Sequence, residues 1–225
     1  MIKANNTFLT YADGTEALKP FDLTLDKTAV AYVTGPSGSG KTSFFKLVMG
    51  MEYPSGGTME VLGEYIRPGN ERGIMNVRTC IGPVFQDFRL LEGRSVYENV
   101  VFGLRFLDMP THQMKLDAIE SIARVGLEHK TRQSIDLLSW GESQRVAIAR
   151  AIARKPELLI ADEPTGNLDH DNAVKILELL ESFRSDDTGV IIITHASHLI
   201  DMKKGGVFIS INEGSVRIER RSEHA

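Results

Sequence analysis

The chain is poor in cysteine, in aromatic residues and in basic charge, and each shortage narrows its possible roles. One cysteine among 225 residues excludes an internal disulfide and agrees with a reducing compartment. A formal net charge of −4 leaves no basic surface for gripping nucleic acid, so we expect no nucleic-acid partner. No apolar run approaches the ~18 residues of a membrane span, and the polar N-terminus lacks a signal-like apolar segment. We therefore expect a soluble chain that acts at a membrane only through another protein.

Strand-like and helix-like segments alternate along the chain. Three apolar, β-branched runs are typical of central parallel strands, namely Ala29–Thr34, Leu158–Ala161 and Val190–Thr194. Further strands are predicted at Phe8–Tyr11, Phe21–Leu25 and Thr58–Leu62, and a final hairpin at Val207–Ile211 and Ser215–Ile218. The alternation predicts an α/β fold.

Between about residues 88 and 138 the pattern changes to helices. Ser95 and Glu98 have the spacing of a capping box, which predicts a helix that ends before Pro110. A second helix is predicted from about Thr111 to a stop at Gly126. A βα core with a helical insertion therefore fits the chain best.

A phosphate-binding loop is predicted at Gly35–Thr42 (GPSGSGKT), which fits G-x-x-x-x-G-K-[ST] between a strand-like and a helix-like segment. Its glycines let successive backbone N–H groups converge on one anion, and the helix N-terminus adds its dipole. Lys41 is expected to reach the terminal phosphates, and the Thr42 hydroxyl to bind Mg²⁺. The alternative is a Gly/Ser loop with a chance lysine. The candidate residues are Gly35, Pro36, Ser37, Gly38, Ser39, Gly40, Lys41, Thr42 and Ser43.

Two carboxylates follow the strand-like run Leu158–Ala161. Ligands bind at the carboxyl ends of strands in an open α/β sheet, so Asp162 and Glu163 stand where a nucleotide would bind. Beside a P-loop, Asp162 is expected to support Mg²⁺ and Glu163 to polarise the water that attacks the γ-phosphate. By itself, this pattern also fits a strand that ends in a solvated acidic turn.

A second anion-binding helix end is predicted at Ser139. Ser139 and Glu142 have capping-box spacing, and the helix behind them runs to about Arg154. Because the P-loop is expected to hold the phosphates of one nucleotide, the second helix end leaves open which phosphate it would meet.

Taken in this order, the motifs resemble the nucleotide-binding subunits of ATP-binding-cassette (ABC) systems over essentially the whole chain. The matching segments after the P-loop are the Q-loop glutamine Gln86, the signature Leu138–Glu142 (LSWGE), Walker B at Leu158–Asp162 followed by Glu163, the D-loop Asn167–Asp169 and the switch histidine His195. The resemblance implies a P-loop NTPase (RecA-like) core with a mainly parallel sheet, an N-terminal antiparallel β portion and an inserted helical subdomain. It places the core and antiparallel portion at about 1–87 and 155–225, and the helical subdomain at about 88–154.

The resemblance also implies an assembly in which the helix end at Ser139 meets the phosphate of a second nucleotide. Two copies are expected to pack head to tail as a homodimer on ATP binding, so that each signature faces the nucleotide on the other P-loop. The groups offered to the partner's ATP would be Ser139, Gly141, Glu142 and Asp169.

Catalytic and binding roles follow from the same resemblance. ATP and Mg²⁺ are the expected cofactors, with Thr42, Gln86 and Asp162 at the metal. The expected catalytic residues are Glu163, His195, Gln86 and Lys41. Tyr11 is expected to stack on adenine, although a tyrosine in a strand also fits ordinary core packing.

Within the family, the chain looks most like the group that contains the cell-division ATPase FtsE, the lipoprotein-release ATPase LolD and the ATPase domain of MacB. The segments that carry this likeness are Phe85–Leu91, Ser95–Val100 and Ala161–Asp169, and FtsE is the first choice. The likeness implies a peripheral ATPase on the cytoplasmic face of the inner membrane, attached to an FtsX-like or LolC/E-like membrane subunit. An ordinary importer or exporter ATPase is the runner-up. A soluble ABC protein and a module without hydrolysis are less favoured.

Two features leave alternatives open. The apolar residues Phe88, Leu90 and Leu91 either border a docking groove for the membrane subunit, near Gln86–Leu91, or pack between the lobes. Trp140 stands where the family usually has glycine. Its indole either lies along the dimer interface or holds the dimer partly open until the membrane partner is engaged.

Overall fold

The computed structural model describes residues 1–166 and 168–222. This part of the chain contains both strands and helices. In chain order they are β1 Ile2–Thr10, β2 Glu16–Leu25, β3 Val30–Thr34, α1 Lys41–Val48, β4 Gly56–Val61, β5 Glu64–Tyr65, α2 Glu71–Cys80, β6 Ile81–Val84, α3 Val96–Leu104, α4 Thr111–Arg124, α5 Trp140–Ile152, β7 Leu158–Asp162, α6 His170–Glu181, β8 Gly189–Thr194, α7 Ser197–Ile200, β9 Gly206–Asn212 and β10 Ser215–Arg221. Three consecutive helices, α3 to α5, follow β6.

A six-stranded sheet forms the centre, in the order β10-β9-β3-β8-β7-β6. All its pairings are parallel except the β9–β10 hairpin at the edge. The three apolar runs that the sequence marks as central strands are the neighbours β3, β8 and β7. The carboxyl ends of these strands meet at one edge of the sheet, where the P-loop and the acidic residues follow them.

A second, antiparallel sheet has the order β2-β1-β4-β5. Strand β1 begins at Ile2, well before the predicted Phe8–Tyr11. Its register shifts between Ala4 and Thr7 and again before Thr10, so its inward-facing residues do not follow a simple alternation. These irregularities explain why the sequence pattern showed only the end of the strand. The antiparallel sheet confirms the predicted N-terminal β portion.

The central sheet separates two hydrophobic cores. Ala31 and Val33 of β3 face the core shared with the antiparallel sheet and α1, whereas Val30 and Tyr32 face the core shared with the helices. Strand β8 divides its residues in the same way. Because both faces are covered, the central strands are apolar throughout rather than alternating.

Helices α3, α4 and α5 pack on one another beside the central sheet. Both predicted capping boxes are present, at Ser95 with Glu98 and at Ser139 with Glu142. Gly126 has a φ of +74° just after α4, which explains the helix stop there. These helices form the predicted helical insertion. The domain limits at about 87 and 154 stay a prediction.

No helix in the described ranges is both long and apolar enough to cross a membrane.

Candidate nucleotide site

The P-loop backbone lies so close to its neighbours that two of its glycines have no room for a side chain. A Cβ at Gly35 would lie 2.0 Å from the carbonyl oxygen of Ile211, at the end of β9. At Gly40, where φ is +115°, a Cβ would lie 2.4 Å from the carbonyl oxygen of Ala17 in β2. The glycine spacing of the motif is therefore a steric requirement of this loop.

The N-terminus of α1 is open to an anion. Its N-cap, Gly40, provides no side-chain hydrogen bond, so the first N–H groups of the helix are not capped by the chain. The buried hydroxyl of Ser39 finds no hydrogen-bond partner among the described residues. A cavity of about 450 Å³ adjoins this helix end and is lined by Gly38 to Ser43 together with Tyr11. These features fit the phosphates of a nucleotide.

Lys41 folds back over the loop that it is expected to serve. Its Nζ donates hydrogen bonds to the carbonyl oxygens of Gly35 (2.9 Å) and Pro36 (3.0 Å). The same atom lies 3.6 Å from Oε1 of Glu163, and both side chains are largely buried. The ammonium group is thus held between the P-loop and the acidic end of β7, where a terminal phosphate would be drawn to it.

Asp162 and Glu163 end β7 in different environments. Burial, with the neighbouring Glu163 charge second, raises the pKa of Asp162 to about 6, and Lys41 opposes this rise. Glu163 has a φ of +49° and donates its backbone N–H to Ile193 of β8. A left-handed non-glycine residue is strained, and such strain is common where a side chain must be aimed at a reacting group.

His195 contacts Glu163 through two atoms. Its Nδ1 lies 2.7 Å from Oε2 of Glu163, and its backbone N–H donates to the same oxygen over 3.1 Å. The preceding Thr194 accepts the N–H of Ala196 with its hydroxyl, which fixes the bend after β8. Glu163, Lys41 and His195 therefore form one connected group, and their catalytic roles stay predictions.

A second cavity brings the predicted metal residues together. Thr42, Gln86 and Asp162 line it, along with Trp140. A hydroxyl, an amide and one carboxylate are oxygen donors of the kind that hold Mg²⁺ beside substrate phosphates. The residues present therefore fit the ion.

Tyr11 lies at the rim of the P-loop cavity. Its hydroxyl shares a 2.9 Å hydrogen bond with Oγ of Ser43 in α1, and Nζ of Lys46 lies 5.7 Å from the ring centre. The ring is thus attached to the helix that carries the phosphate site, a position compatible with adenine stacking. Both that role and the role of Ser43 stay predictions.

The signature turn at the start of α5 borders a different cavity, which it shares with Leu168 and Asn172. Ser139 and Glu142 cap each other, and Lys130 pairs with the Glu142 carboxylate; this pair and the Ser139 N–H lower the pKa of Glu142. Asp169 caps α6 instead, accepting hydrogen bonds from Asn172 with both carboxylate oxygens. Asn167 of the predicted D-loop lies outside the described residues.

The ABC transporter family profile matches residues 18–166, about two thirds of the chain. The chain belongs to the ABC transporter family. It is 39% identical to the cell division ATP-binding protein FtsE of Bacillus subtilis, over 100% of this chain and 98% of the relative. The FtsE of Mycobacterium tuberculosis is 40% identical over 91% and 89% of the two chains. The chain is an ABC ATPase subunit that is similar to FtsE.

Solved ABC structures share this fold. One is cbiO1 from Clostridium perfringens, part of the ABC transporter complex cbiONQ; its TM-score is 0.88 at 30% identity, over 98% of this chain and 88% of that one. Another is a dimeric ATP-binding cassette in a post-hydrolysis state with ADP and Pi, with a TM-score of 0.83 at 29% identity over 98% of each chain. Both likenesses confirm the predicted P-loop NTPase fold class.

In this ABC ATPase the Trp140 indole contacts its own subunit. Its Nε1–H donates a 3.0 Å hydrogen bond to the carbonyl oxygen of Gly166, and its ring lies 4.5 Å from that of Phe88, between centroids. Neither interpretation of the sequence placed it there. Phe88 is only 7% exposed, which agrees with packing between the lobes rather than with a docking surface.

Arg150, which supports the Q-loop, was not predicted from the sequence. Arg150 of α5 donates hydrogen bonds to the carbonyl oxygens of Phe88 and Arg89, two residues with positive φ. Burial lowers the pKa of Arg150 to about 10, which leaves it charged at neutral pH. The only available signal was an arginine within an apolar helix, which is too common to single out.

Proposed function

We propose that two copies of this chain close on two Mg²⁺-bound ATP molecules and hydrolyse them to move a membrane partner. One observation carries the proposal. Glu163, directly after β7, contacts both Lys41 and His195 beside an uncapped helix N-terminus. A carboxylate in that position can accept a proton from the water that attacks the γ-phosphate.

The remaining steps are assigned to the other predicted residues. Lys41 and the N–H groups of the P-loop would stabilise the charge on the transferred phosphate. Thr42, Gln86 and Asp162 would hold Mg²⁺, which neutralises phosphate charge when it is bound. His195 would orient Glu163 and contact the γ-phosphate. Tyr11 would stack on adenine.

A head-to-tail dimer would complete each site. The signature turn borders a cavity of its own, apart from the P-loop cavity, so its Ser139 hydroxyl and the N–H of Gly141 are available to a second subunit. The similar cassette with ADP and Pi is dimeric. In such a dimer Ser139, Gly141, Glu142 and Asp169 would face the partner's nucleotide, with Glu142 and Asp169 acting through the turns that they cap.

A groove next to the Q-loop is the proposed docking surface for the membrane subunit. The aromatic residues Phe85, Phe102 and Phe106 line it together with the arginines Arg89, Arg150 and Arg154, and Phe106 is 74% exposed. The groove lies beside the predicted docking segment Gln86–Leu91. An aromatic groove of this kind suits an apolar helix of a partner.

We assign the chain a role like that of FtsE, at the cytoplasmic face of the cell membrane through this partner. The assignment rests on identities of 35–41% to proteins named cell division ATP-binding protein FtsE. The partner would then be an FtsX-like subunit. A LolD- or MacB-type role, with a LolC/E-like partner, is the alternative.

The first test is ATP hydrolysis by the purified chain. Phosphate release that requires Mg²⁺ and is abolished by EDTA supports the proposal. Absence of hydrolysis both in the isolated chain and in the complex purified from detergent-solubilised membranes would overturn it. The membrane subunit recovered in that complex separates the FtsE-like role from its alternatives.

The second test concerns the docking groove. Phe106→Glu is expected to abolish co-purification of the membrane subunit, because it replaces an exposed aromatic contact residue of the groove with a carboxylate. Leu91→Glu should have the same effect if the predicted segment contributes. The matched control is Leu116→Glu, on α4, where an apolar residue of 53% exposure lies outside the groove. Equal recovery of partner by all three variants, at unchanged melting temperature, would refute the assignment of the groove.

A further inference from the structure

Trp140 is the first residue of α5, directly after the capping residue Ser139. The indole donates its N–H to Gly166 over 3.0 Å and packs on Phe88 at 4.5 Å, while 42% of the residue stays exposed. Two separate segments, one after β7 and one after β6, are thereby attached to the first turn of α5. One side chain connects the signature turn to the loops of its own nucleotide site.

The hydrogen-bonded segment leads directly to the catalytic acid. The N–H of Gly166 donates to the carbonyl oxygen of Glu163 over 3.2 Å, closing the turn that begins at that residue. The turn is also tied to β8, because Thr165 and Thr194 share a hydrogen bond of 3.3 Å. A change in the hydrogen bond from the indole to Gly166 therefore affects the turn that positions Glu163.

The aromatic contact leads to the Q-loop. Phe88 follows Gln86 by two residues, and Arg150 anchors its carbonyl oxygen from α5. The indole itself lines the cavity that also contains Thr42, Gln86 and Asp162. The terminal phosphate and metal of a nucleotide bound there would change the surroundings of the indole.

We propose that Trp140 is a positioning residue that holds the signature turn against its own subunit in the absence of nucleotide and releases it when nucleotide fills this cavity. The inference rests on the proposed dimeric ATPase. Closure on a second subunit then requires loss of one hydrogen bond and one aromatic contact. From the usual strength of these two contacts taken together, the restraint lowers basal turnover about 5- to 100-fold.

Fluorescence tests the release directly, since Trp140 is the one tryptophan of the chain. The experiment uses the Glu163→Gln variant, in which hydrolysis is blocked, and adds ATP with Mg²⁺. The emission maximum should shift and the accessibility of the indole to iodide should change, whereas ADP with Mg²⁺ should have a smaller effect. Unchanged emission and quenching at a saturating ATP concentration, verified by equilibrium dialysis, would overturn the proposal. Failure of ATP to bind in the dialysis would instead refute the proposed ATPase function.

Two substitutions test the restraint in the wild-type background. Trp140→Gly removes both contacts and should raise basal kcat by the predicted factor, with little change in the KM for ATP. Trp140→Phe keeps an aromatic ring against Phe88 but has no N–H to donate to Gly166, so its kcat should lie between those of Trp140→Gly and the wild type. A purely structural role predicts lower turnover with a lower melting temperature.

Unchanged or reduced kcat in both folded variants would contradict the restraint. Should Trp140→Gly fail to fold, Trp140→Phe decides alone, because it retains the bulk of the ring. The control is Tyr65→Phe, a conservative change at an exposed aromatic residue of β5 that lines neither the nucleotide cavities nor the docking groove.

Discussion

Two helix N-termini, those of α1 and α5, are proposed to bind phosphate, and they differ in how they are capped. Helix α1 begins at a glycine, has no acidic residue in its first turn and no side-chain cap. Helix α5 begins with a complete capping box, in which Glu142 places a carboxylate at the positive end of the helix dipole. The backbone N–H groups at the start of α1 are free to bind an anion, whereas some of those at the start of α5 already donate to a side chain of the capping box.

The difference indicates how the work is divided between two subunits. An uncapped helix end with a neighbouring lysine can bind a multiply charged phosphate from one chain alone. A capped end keeps its geometry without ligand and offers only a few donors, which suits a group that completes a site formed elsewhere. On this account α1 sets the affinity for ATP, whereas α5 controls closure and turnover.

The largest expected effect concerns the chemistry beside α1. Glu163→Gln should keep ATP affinity but slow turnover by roughly 10²–10⁴, because the attacking water loses its general base. The ATP-bound dimer should accumulate, as measured by size-exclusion chromatography. Turnover at the wild-type level, with contaminating ATPases excluded, would show that another residue is the base.

The pH dependence of stability tests the electrostatic environment of Asp162, at the same end of β7. Its pKa is raised on folding from 3.8 to about 6, so its contribution to stability is full below pH 4 and is lost as the pH rises towards 6. Asp162→Asn removes this penalty. In urea unfolding without metal ions, the free energy of unfolding of the variant relative to that of the wild type should therefore increase by about 2 kcal/mol between pH 4 and pH 7. A stability difference that does not vary with pH would mean that the carboxylate is not destabilised by its surroundings.

Substitutions at Lys41 and at Gly141 are expected to change ATP affinity differently, because the two residues lie at different helix ends. Lys41→Ala should weaken ATP binding to the monomer about 10- to 100-fold, since it removes a charge-assisted contact to phosphate. Gly141→Glu should leave monomer affinity within about twofold, because α5 serves the other subunit. A Cβ at Gly141 would meet only Leu168, at 3.8 Å, so the variant should fold. Isothermal titration calorimetry measures the ATP affinity of both variants. Equal losses of affinity would contradict the proposed difference between the helix ends.

Much of the fold was predictable because its strongest elements have strong local signals. Strands β3, β7 and β8 are apolar on both faces, and the capping boxes at Ser95 and Ser139 mark two helix starts. Strand β6 was missed because Gly82 and Pro83 lower its strand propensity. It is an edge strand that pairs only with β7 among the described residues, and there a proline is tolerated. The polar helix α2 was missed, and only the end of the irregular strand β1 was predicted, because neither has a clear period.

The site was predictable where a motif dictates chemistry and not where contacts depend on packing. The spacing of Gly35–Thr42 and the acids after β7 were sufficient to bring Lys41 and Glu163 together. The position of the Trp140 indole was not predictable, since it depends on where Gly166 and Phe88 lie in space. The same holds for the hydrogen bonds from Arg150 to the Q-loop. Long-range contacts of this kind leave no pattern in the sequence.

The most direct test of the account combines two inactive variants. In a head-to-tail dimer of Lys41→Ala with Gly141→Glu, one site carries both defects and the other carries neither. We predict that an equimolar mixture regains about a quarter of the wild-type ATPase activity per subunit, since half of the dimers are mixed and each has one intact site. Each variant alone should be nearly inactive. A mixture no more active than its components would contradict the claim that α5 of one subunit completes the site at α1 of the other.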